Sequence, residues 1–135
     1  KGVIELHGNN TYASCLDCCF RYELGPIKKA FVSEGVLPIC DRCGGLVKGA
    51  TISFGQPMPE APMLCAQEET MACDLFMAIG SSLQVYPAAG FPQTAVKNGA
   101  GLVILNRDPT KLDSFADIVL NMEIGSTLGD AVGVN

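Results

Sequence analysis

Two CxxC motifs constrain this chain more than any other feature of its sequence. They are Cys15-x-x-Cys18 and Cys40-x-x-Cys43, and residues 19–39 separate them. Each motif presents two thiolates from one turn, and two such turns complete the tetrahedral site in which Zn²⁺ binds sulfur at about 2.3 Å. The spacing therefore predicts a zinc ion held by Cys15, Cys18, Cys40 and Cys43. Because four thiolates leave no open coordination position, this zinc would stabilise the fold, and any reaction would take place elsewhere.

The other cysteines leave alternatives open. The chain has seven cysteines, and the N-terminus has no basic-then-apolar leader, which argues against a secreted disulfide framework. A set of buried free thiols and a thioredoxin-like redox pair are the two alternatives to zinc. Cys19 adjoins a ligand and could replace Cys18, but the spacing favours Cys18. Cys65 and Cys73 lie in apolar patterns and are expected in the core.

Composition bounds the class of protein. Hydrophobic residues make up 48% of the 135 residues and charged residues 17%, which excludes a disordered chain. The net charge of −5 argues against direct nucleic-acid binding, because phosphate neutralisation needs a basic surface. No apolar stretch is long enough to span a membrane. We therefore expect a soluble cytoplasmic domain without a membrane partner, and a basic peptide substrate remains compatible with its charge.

The pattern changes along the chain from a metal module to alternating helices and strands. Apolar runs predict buried strands over residues 75–79, 102–105 and 118–120, and helices are predicted over residues 62–72, 87–97 and 126–132. Continuous apolar strands that alternate with helices are typical of a parallel sheet buried on both faces. The predicted fold class is therefore α/β, with a partial Rossmann-like parallel sheet, helices on its faces and a small zinc-ribbon module.

The N-terminal half has weaker signals. Residues 3–6 predict a short strand, and residues 7–10 a turn. A short helix is expected from Gly25-Pro26, with Ile27, Ala30 and Phe31 on one face, and a brief strand within residues 50–59. The predicted division is residues 1–14 as a catalytic-loop segment of the Rossmann-like domain, 15–50 as the zinc module and 51–135 as the C-terminal part of that domain.

Polar residues follow two of the predicted strands. Gly80-Ser81-Ser82 comes directly after residues 75–79, and Asn106-Arg107-Asp108 follows residues 102–105. Ligands of parallel sheets bind beyond the carboxyl ends of the strands, so both segments are candidates for binding a nucleotide. The alternative is that both are ordinary polar turns. No GxGxxG or GxxxxGK[ST] fingerprint is present.

Taken together, the motifs resemble those of the sirtuins, the NAD-dependent protein lysine deacylases. The resemblance runs from about residue 3 to residue 132. The segments that carry it, besides the two CxxC motifs, are Glu5-Leu6-His7-Gly8-Asn9, Ile52-Ser53-Phe54-Gly55-Gln56, Gly80-Ser81-Ser82-Leu83-Gln84-Val85-Tyr86-Pro87 and Ile104-Leu105-Asn106.

The resemblance implies a reaction and a role for each segment. His7 is the expected general base in a deacylation that consumes NAD and gives nicotinamide, deacylated lysine and an O-acyl-ADP-ribose; a neutral imidazole suits this role near pH 7. The residues expected to contact NAD are Gly80, Ser81, Ser82, Asn106, Arg107, Asp108 and Ile124. The expected partner is an acyl-lysine protein or peptide, which would add as a strand along Ile52, Phe54, Gly55, Gln56, Leu83, Val85 and Tyr86.

The resemblance covers only the later part of a sirtuin catalytic domain. We therefore expect the chain to be a fragment that lacks the N-terminal NAD-binding half and is inactive alone. Gln56 stands where the family commonly has an acid, which should weaken any preference for cationic residues beside the target lysine. Two other functions stay open: an NAD-consuming ADP-ribosyltransferase or glycohydrolase of the same fold, and a zinc-ribbon interaction module without a reaction.

Overall fold

The chain divides into two compact units. The computed structural model describes residues 2–134, and its units are Lys1–Pro62 and Met63–Asn135. The finer division at residues 14 and 50 stays a prediction.

The first unit is built on a three-stranded antiparallel sheet. Its elements are β1 (Gly8–Cys15), β2 (Arg21–Glu23), α1 (Leu24–Glu34) and β3 (Val47–Thr51), and the strand order is β2-β1-β3. The hydrophobic cluster of this unit consists of Ala13, Cys15, Cys40 and Val47. Two of these are predicted zinc ligands, so the metal module and the core of the unit share residues.

The prediction of an N-terminal strand over residues 3–6 is wrong. Residues 2–5 have no regular structure, and β1 starts at Gly8 inside the predicted turn. The turn signal is nevertheless physical, because Asn9 Oδ1 accepts the Thr11 N–H at 2.8 Å and the register against β3 shifts between Gly8 and Ala13. Pairing with β3 at Gly8 and again from Ala13 makes this irregular segment part of the sheet in spite of its low strand propensity.

Gly8 is required where β1 begins. It has φ of 75°, and a Cβ placed on it would lie 1.9 Å from the Ala50 carbonyl oxygen. Only glycine allows the backbone to approach the end of β3 this closely.

Two other predictions for this unit are partly confirmed. The helix expected from Gly25-Pro26 is present and extends over Leu24–Glu34, but only Ile27 of the predicted face packs on the core, and Ala30 and Phe31 are exposed. The strand expected within residues 50–59 lies earlier, because its pairing with β1 ends at Thr51.

The second unit contains the predicted parallel sheet. Its elements are β4 (Leu75–Ile79), α3 (Phe91–Lys97), β5 (Gly101–Leu105), β6 (Ile118–Leu120) and α4 (Ile124–Val132), preceded by α2 (Glu60–Ala72). The strand order is β4-β5-β6, and all pairs are parallel. All three predicted strands are confirmed, as is the α/β class. The core is a cluster of Ala78, Leu83, Leu102, Ile104 and Leu112.

The helix predicted over residues 87–97 is divided. Ala88–Gly90 forms a 3₁₀ turn, and α3 starts only at Phe91. Pro92 has no N–H to donate to the carbonyl four residues earlier, so a continuous α-helix cannot form across this point. The predicted end of the helix at residue 97 is confirmed, and Gly99 beyond it has φ of 95°.

The prediction that the strands are buried on both faces holds for β5 but is wrong for β4. Leu102, Ile104 and Leu105 of β5 are fully buried. Leu75, Met77 and Ile79 of β4 are 55%, 47% and 41% exposed. The apolar run of β4 is therefore covered on one face only, the face of Ala78. In residues 2–134 no helix has the length and apolar character needed to cross a membrane.

Candidate functional site

The two CxxC motifs form two turns with the same backbone hydrogen bonds. In the first turn the Cys15 N–H donates to the Phe20 carbonyl at 2.9 Å and the Cys19 N–H to the Cys15 carbonyl at 3.1 Å. In the second turn the Cys40 N–H donates to the Gly45 carbonyl at 2.7 Å and the Gly44 N–H to the Cys40 carbonyl at 2.9 Å. The repeat aims both pairs of sulfurs at a common centre.

The four sulfurs fit a zinc ion. Cys15 Sγ lies 3.5 Å from Cys43 Sγ, Cys18 Sγ lies 3.6 Å from Cys40 Sγ, and all four lie within 4.8 Å of one another. A tetrahedral site with Zn–S near 2.3 Å has sulfur–sulfur edges of about 3.8 Å. The structure brings together the four cysteines that the spacing predicts, and their donor set is that of a closed structural zinc site.

Cys19 does not join this cluster, and its backbone explains why. The residue after the second ligand is left-handed in both turns, with φ of 59° at Cys19 and 78° at Gly44. This conformation closes the turn and directs the Cys19 side chain away from the other thiols. The second turn also needs a glycine after Gly44, because a Cβ on Gly45 would lie 3.0 Å from Cys15 Sγ and 2.2 Å from Asp17 Oδ2.

Tyr22 of β2 contacts the second turn and was missed by the sequence analysis. Its hydroxyl lies 3.1 Å from Cys40 Sγ and also hydrogen-bonds the Asp41 carboxylate. Donation by Tyr22 is the main cause that lowers the pKa of the Cys40 thiol to about 6. The pKa of Tyr22 itself is raised, chiefly because its hydroxyl hydrogen-bonds the Asp41 carboxylate and next because it bonds Cys40. No local sequence signal marks this residue, because its contact crosses from one turn to the other.

His7 lies on an exposed segment fixed to the end of β3. Its side chain is exposed, and its carbonyl oxygen accepts the Ile52 N–H at 2.9 Å. The pairing of Gly8 with Thr51 continues this attachment. The first unit therefore brings His7 beside the predicted substrate segment at Ile52–Gln56.

The substrate segment is a turn with its apolar side chain in solvent. Phe54 is 94% exposed, and Gly55 has φ of 84°. The Gln56 side chain closes the turn, because its Oε1 accepts the Ser53 N–H at 3.2 Å. Lys48 of β3 donates to the same Oε1 at 3.3 Å and to the Thr51 carbonyl. Lys48 was not predicted from the sequence. It lies outside the Ile52–Gln56 motif and holds this segment in place through these two hydrogen bonds.

In the second unit both polar segments meet at the carboxyl ends of the parallel strands. The Gly80 N–H donates to the Leu105 carbonyl at 2.9 Å, so the residue after β4 is bonded to the last residue of β5. The Asn106 N–H donates in turn to the Leu120 carbonyl of β6 at 3.1 Å. Gly80 has φ of 63°, and a Cβ placed on it would lie 2.6 Å from Ile124 Cδ1. The predicted residues Gly80, Asn106 and Ile124 are thus close together.

Several side chains of these segments already form hydrogen bonds or ion pairs within the protein. Asn106 Nδ2 donates to the Asp108 carbonyl at 2.7 Å, and Ser81 Oγ accepts the Leu83 N–H at 3.2 Å. The Arg107 guanidinium lies 3.7 Å from Glu123 Oε1 and 3.8 Å from Asp108 Oδ2, with all three side chains exposed. The Arg107 charge is therefore balanced by acids on the surface.

The last predicted substrate residues differ in exposure. Leu83 has φ of 53°, and its side chain is buried in the core of the unit. Val85 and Tyr86 are 47% and 64% exposed. The side chains of Val85 and Tyr86 are therefore accessible, whereas the Leu83 side chain is part of the core.

Comparison with known proteins identifies the family. A sequence model of the Sir2 family matches residues 1–87. The chain belongs to the Sir2, or sirtuin, family. The four-cysteine cluster and the parallel α/β sheet described above are the zinc module and the nucleotide-domain strands that the resemblance to sirtuins implied.

Named Sir2 relatives come from bacteria and archaea. The NAD-dependent protein deacetylase 1 of Bradyrhizobium diazoefficiens is 56% identical over 131 residues, which cover 97% of this chain and 51% of that protein. The NAD-dependent protein deacylase 2 of Archaeoglobus fulgidus is 40% identical over 129 residues, covering 95% of this chain and 51% of that protein. The chain thus spans about half the length of the curated relatives it matches.

Solved Sir2 structures have the same fold. A structure of Sir2Tm bound to a propionylated peptide superposes with a TM-score of 0.87 at 33% identity, covering 100% of this chain and 58% of that one. A Sir2 structure with a p53 peptide and NAD⁺ gives a TM-score of 0.86 at 33% identity, covering 100% and 57%.

Proposed function

We propose that this chain is the zinc-containing part of an NAD-dependent protein lysine deacylase, with His7 as general base. The observation that carries the proposal is the position of His7: an exposed imidazole held by a backbone hydrogen bond beside the Ile52–Gln56 turn. The names of the Sir2 relatives support the same activity. A general base needs solvent or substrate access and a fixed backbone, and His7 has both.

In the proposed reaction the acyl oxygen of the substrate lysine attacks the anomeric carbon of NAD, and nicotinamide leaves. The neutral imidazole of His7 then accepts a proton by way of the ribose hydroxyls. Water resolves the intermediate, which gives deacylated lysine and an O-acyl-ADP-ribose. The zinc site would take no part in these steps, because the four cysteine thiolates would occupy all four coordination positions of the metal.

The nucleotide contacts form the second part of the proposal. Gly80, Ser81 and Ser82 are proposed to bind phosphate and ribose, and Asn106, Arg107, Asp108 and Ile124 to bind the adenosine end of NAD. Backbone hydrogen bonds support this assignment, because they hold Gly80 and Asn106 together at the carboxyl ends of β4 and β5. Parallel sheets bind their ligands beyond these strand ends. The balance of Arg107 by Asp108 and Glu123 favours ribose hydroxyls over a further phosphate there.

The peptide contacts form the third part. An acyl-lysine peptide is proposed to pair with the Phe54–Gln56 backbone. Val85 and Tyr86 stay predicted peptide contacts. The exposed Phe54 side chain offers apolar area without a protein partner within its own turn. Cytoplasmic location and the lack of nucleic-acid and membrane partners stay predictions.

The test is the His7→Ala variant of the complete protein. We expect deacylation of an acetyl-lysine peptide to fall by about 10²–10⁴-fold, because that is the usual contribution of a general base. NAD affinity by calorimetry and zinc content by elemental analysis should not change, since His7 belongs neither to the four-cysteine cluster nor to the residues proposed to bind NAD. A variant that kept more than about a tenth of the turnover would exclude His7 as the base.

Product analysis separates the alternatives. A deacylase gives O-acyl-ADP-ribose and deacylated peptide in equal amounts, whereas a glycohydrolase gives ADP-ribose without deacylated peptide. An ADP-ribosyltransferase attaches ADP-ribose to a protein. If the complete protein consumes neither NAD nor peptide, the better interpretation is a zinc-ribbon module that binds a partner without catalysing a reaction.

A further inference from the structure

The Tyr22 side chain joins the two halves of the zinc site. Tyr22 lies on β2, directly after the first CxxC turn. The hydrogen bonds of its hydroxyl are nevertheless to residues of the second turn. The hydroxyl lies 3.1 Å from Cys40 Sγ, hydrogen-bonds the Asp41 carboxylate and accepts the Asp41 N–H at 3.2 Å. One phenol oxygen is therefore tied to the second turn through a ligand sulfur, a carboxylate and a backbone amide.

The ring is held in this position from both sides. The Phe20 ring packs edge-on against Tyr22 with the centroids 5.0 Å apart, and the Arg42 guanidinium lies over Phe20 at 3.3 Å. Tyr22 also packs on the buried cluster that contains Cys15 and Cys40. In the folded unit this packing fixes the direction of the hydroxyl, so little conformational entropy is lost in forming the bond to sulfur.

We propose that Tyr22 is a positioning residue for zinc, whose single hydroxyl proton, shared with the Asp41 carboxylate, is donated to the Cys40 thiolate and so slows release of the metal. A donor to a ligand atom orients that ligand and stabilises its charge, and loss of such a partner typically lowers metal affinity about 10–100-fold. The bond also ties the two turns together, so that Cys40 cannot leave the metal without breaking the contact with β2. The inference does not depend on the proposed deacylase function.

The experiment compares Tyr22→Phe with two matched controls in the 135-residue chain. Tyr22→Phe keeps the ring and removes only the hydroxyl. Phe20→Leu keeps an apolar side chain against the ring but removes the aromatic contact, and it leaves the hydroxyl in place. Tyr12→Phe removes a hydroxyl on β1, where the ring contacts Arg21 at 3.7 Å and not the cysteines.

The first readout is zinc transfer to a chromophoric chelator at fixed pH. We expect Tyr22→Phe to release zinc at least about tenfold faster and to bind it about 10–100-fold more weakly. Both controls should stay within about threefold of the unmodified chain. Equal rates for Tyr22→Phe and the unmodified chain would overturn the proposal, and so would an equal increase in Phe20→Leu.

The second readout is the sulfur-to-metal charge-transfer band of the Co²⁺-loaded chain. A hydrogen bond withdraws electron density from the thiolate, so its loss should move the band to longer wavelength in Tyr22→Phe and leave it unmoved in Phe20→Leu. If Tyr22→Phe does not fold, the ¹¹³Cd-loaded unmodified chain is used. Its Tyr22 hydroxyl proton should then show scalar coupling to ¹¹³Cd, and failure to observe that coupling overturns the proposal.

Discussion

At the residue scale, the two zinc turns use one backbone conformation for two different residue types. Cys19 and Gly44 occupy the same place after the second ligand, and both have positive φ. For a residue with a Cβ the left-handed conformation costs roughly 1–2 kcal/mol, whereas glycine adopts it freely. The first turn is therefore strained at Cys19 in a way that the second turn is not.

This difference predicts opposite effects of opposite substitutions. Cys19→Gly should stabilise the zinc-loaded chain by about 1 kcal/mol, and Gly44→Ala should destabilise it by about the same amount. Nothing lies within 4 Å of a Cβ placed on Gly44, so its substitution tests conformation without a clash. Denaturant titration in excess zinc measures both free energies of unfolding.

Cys19→Ala is the control for the loss of a thiol. It keeps the Cβ and should leave the free energy of unfolding nearly unchanged. If Cys19→Ala stabilised the chain as much as Cys19→Gly, the thiol and not the backbone conformation would be the cause.

Residues of the site differ in how far the sequence could predict them. The four zinc ligands follow from spacing alone, because the spacing reflects local turn geometry. Tyr22 and Lys48 were missed because their partners lie 18 and 8 residues away and are reached only in the folded unit. The role of His7 rests on the resemblance, since an isolated histidine carries no signal of catalysis.

At the scale of elements, predictions succeeded where one strong local pattern decides the structure. β4 and β6 have the predicted bounds, because short apolar runs bounded by turn residues have few alternatives. β1 was missed, because its residues favour a turn and pairing with two other strands overrides that preference. The exposure of β4 was also missed, since an apolar run does not reveal how many of its faces are covered.

Zinc is expected to be the main cross-link of the elements around the cluster. The metal joins the turn after β1 to the turn before β3, and in small zinc domains it contributes roughly 10–16 kcal/mol of apparent folding free energy. Removing it with a chelator should therefore abolish the order of residues 15–47. Hydrogen exchange of these amides before and after chelation is the measurement.

Ligand variants provide the control. Cys40→Ser with Cys43→Ser should eliminate bound zinc by elemental analysis. Cys65→Ser with Cys73→Ser should retain one zinc per chain, because neither thiol belongs to the cluster. Zinc retained by the first pair, or amides that stay protected after chelation, would contradict the assignment.

At the scale of the whole molecule, each unit has a hydrophobic cluster of its own. One consists of Ala13, Cys15, Cys40 and Val47, and the other of Ala78, Leu83, Leu102, Ile104 and Leu112. The nucleotide contacts proposed above come from a glycine turn, two hydroxyls, an amide, the exposed Arg107 and Asp108 and Ile124, and the sequence has no glycine-rich phosphate fingerprint.

We therefore expect the 135-residue chain alone to bind NAD weakly. Dinucleotides are held mainly where a glycine-rich turn and a helix N-terminus present N–H groups to the pyrophosphate. Several missing charge-assisted hydrogen bonds of about 1.5–3 kcal/mol each should weaken binding by several decades. Calorimetry and a deacylation assay with acetyl-lysine peptide are the measurements. Micromolar affinity or clear turnover would contradict this expectation and show that the chain is sufficient.

The partly covered strand β4 has a practical consequence. Within residues 2–134 it pairs with β5 alone, and it carries Leu75, Met77 and Ile79 on an exposed face. An apolar strand with free N–H and C=O groups is a template for adding a strand from another molecule. Its five residues include no charge and no proline to discourage such stacking. The shelf life and the highest usable concentration of the purified chain should therefore depend on this strand more than on the net charge.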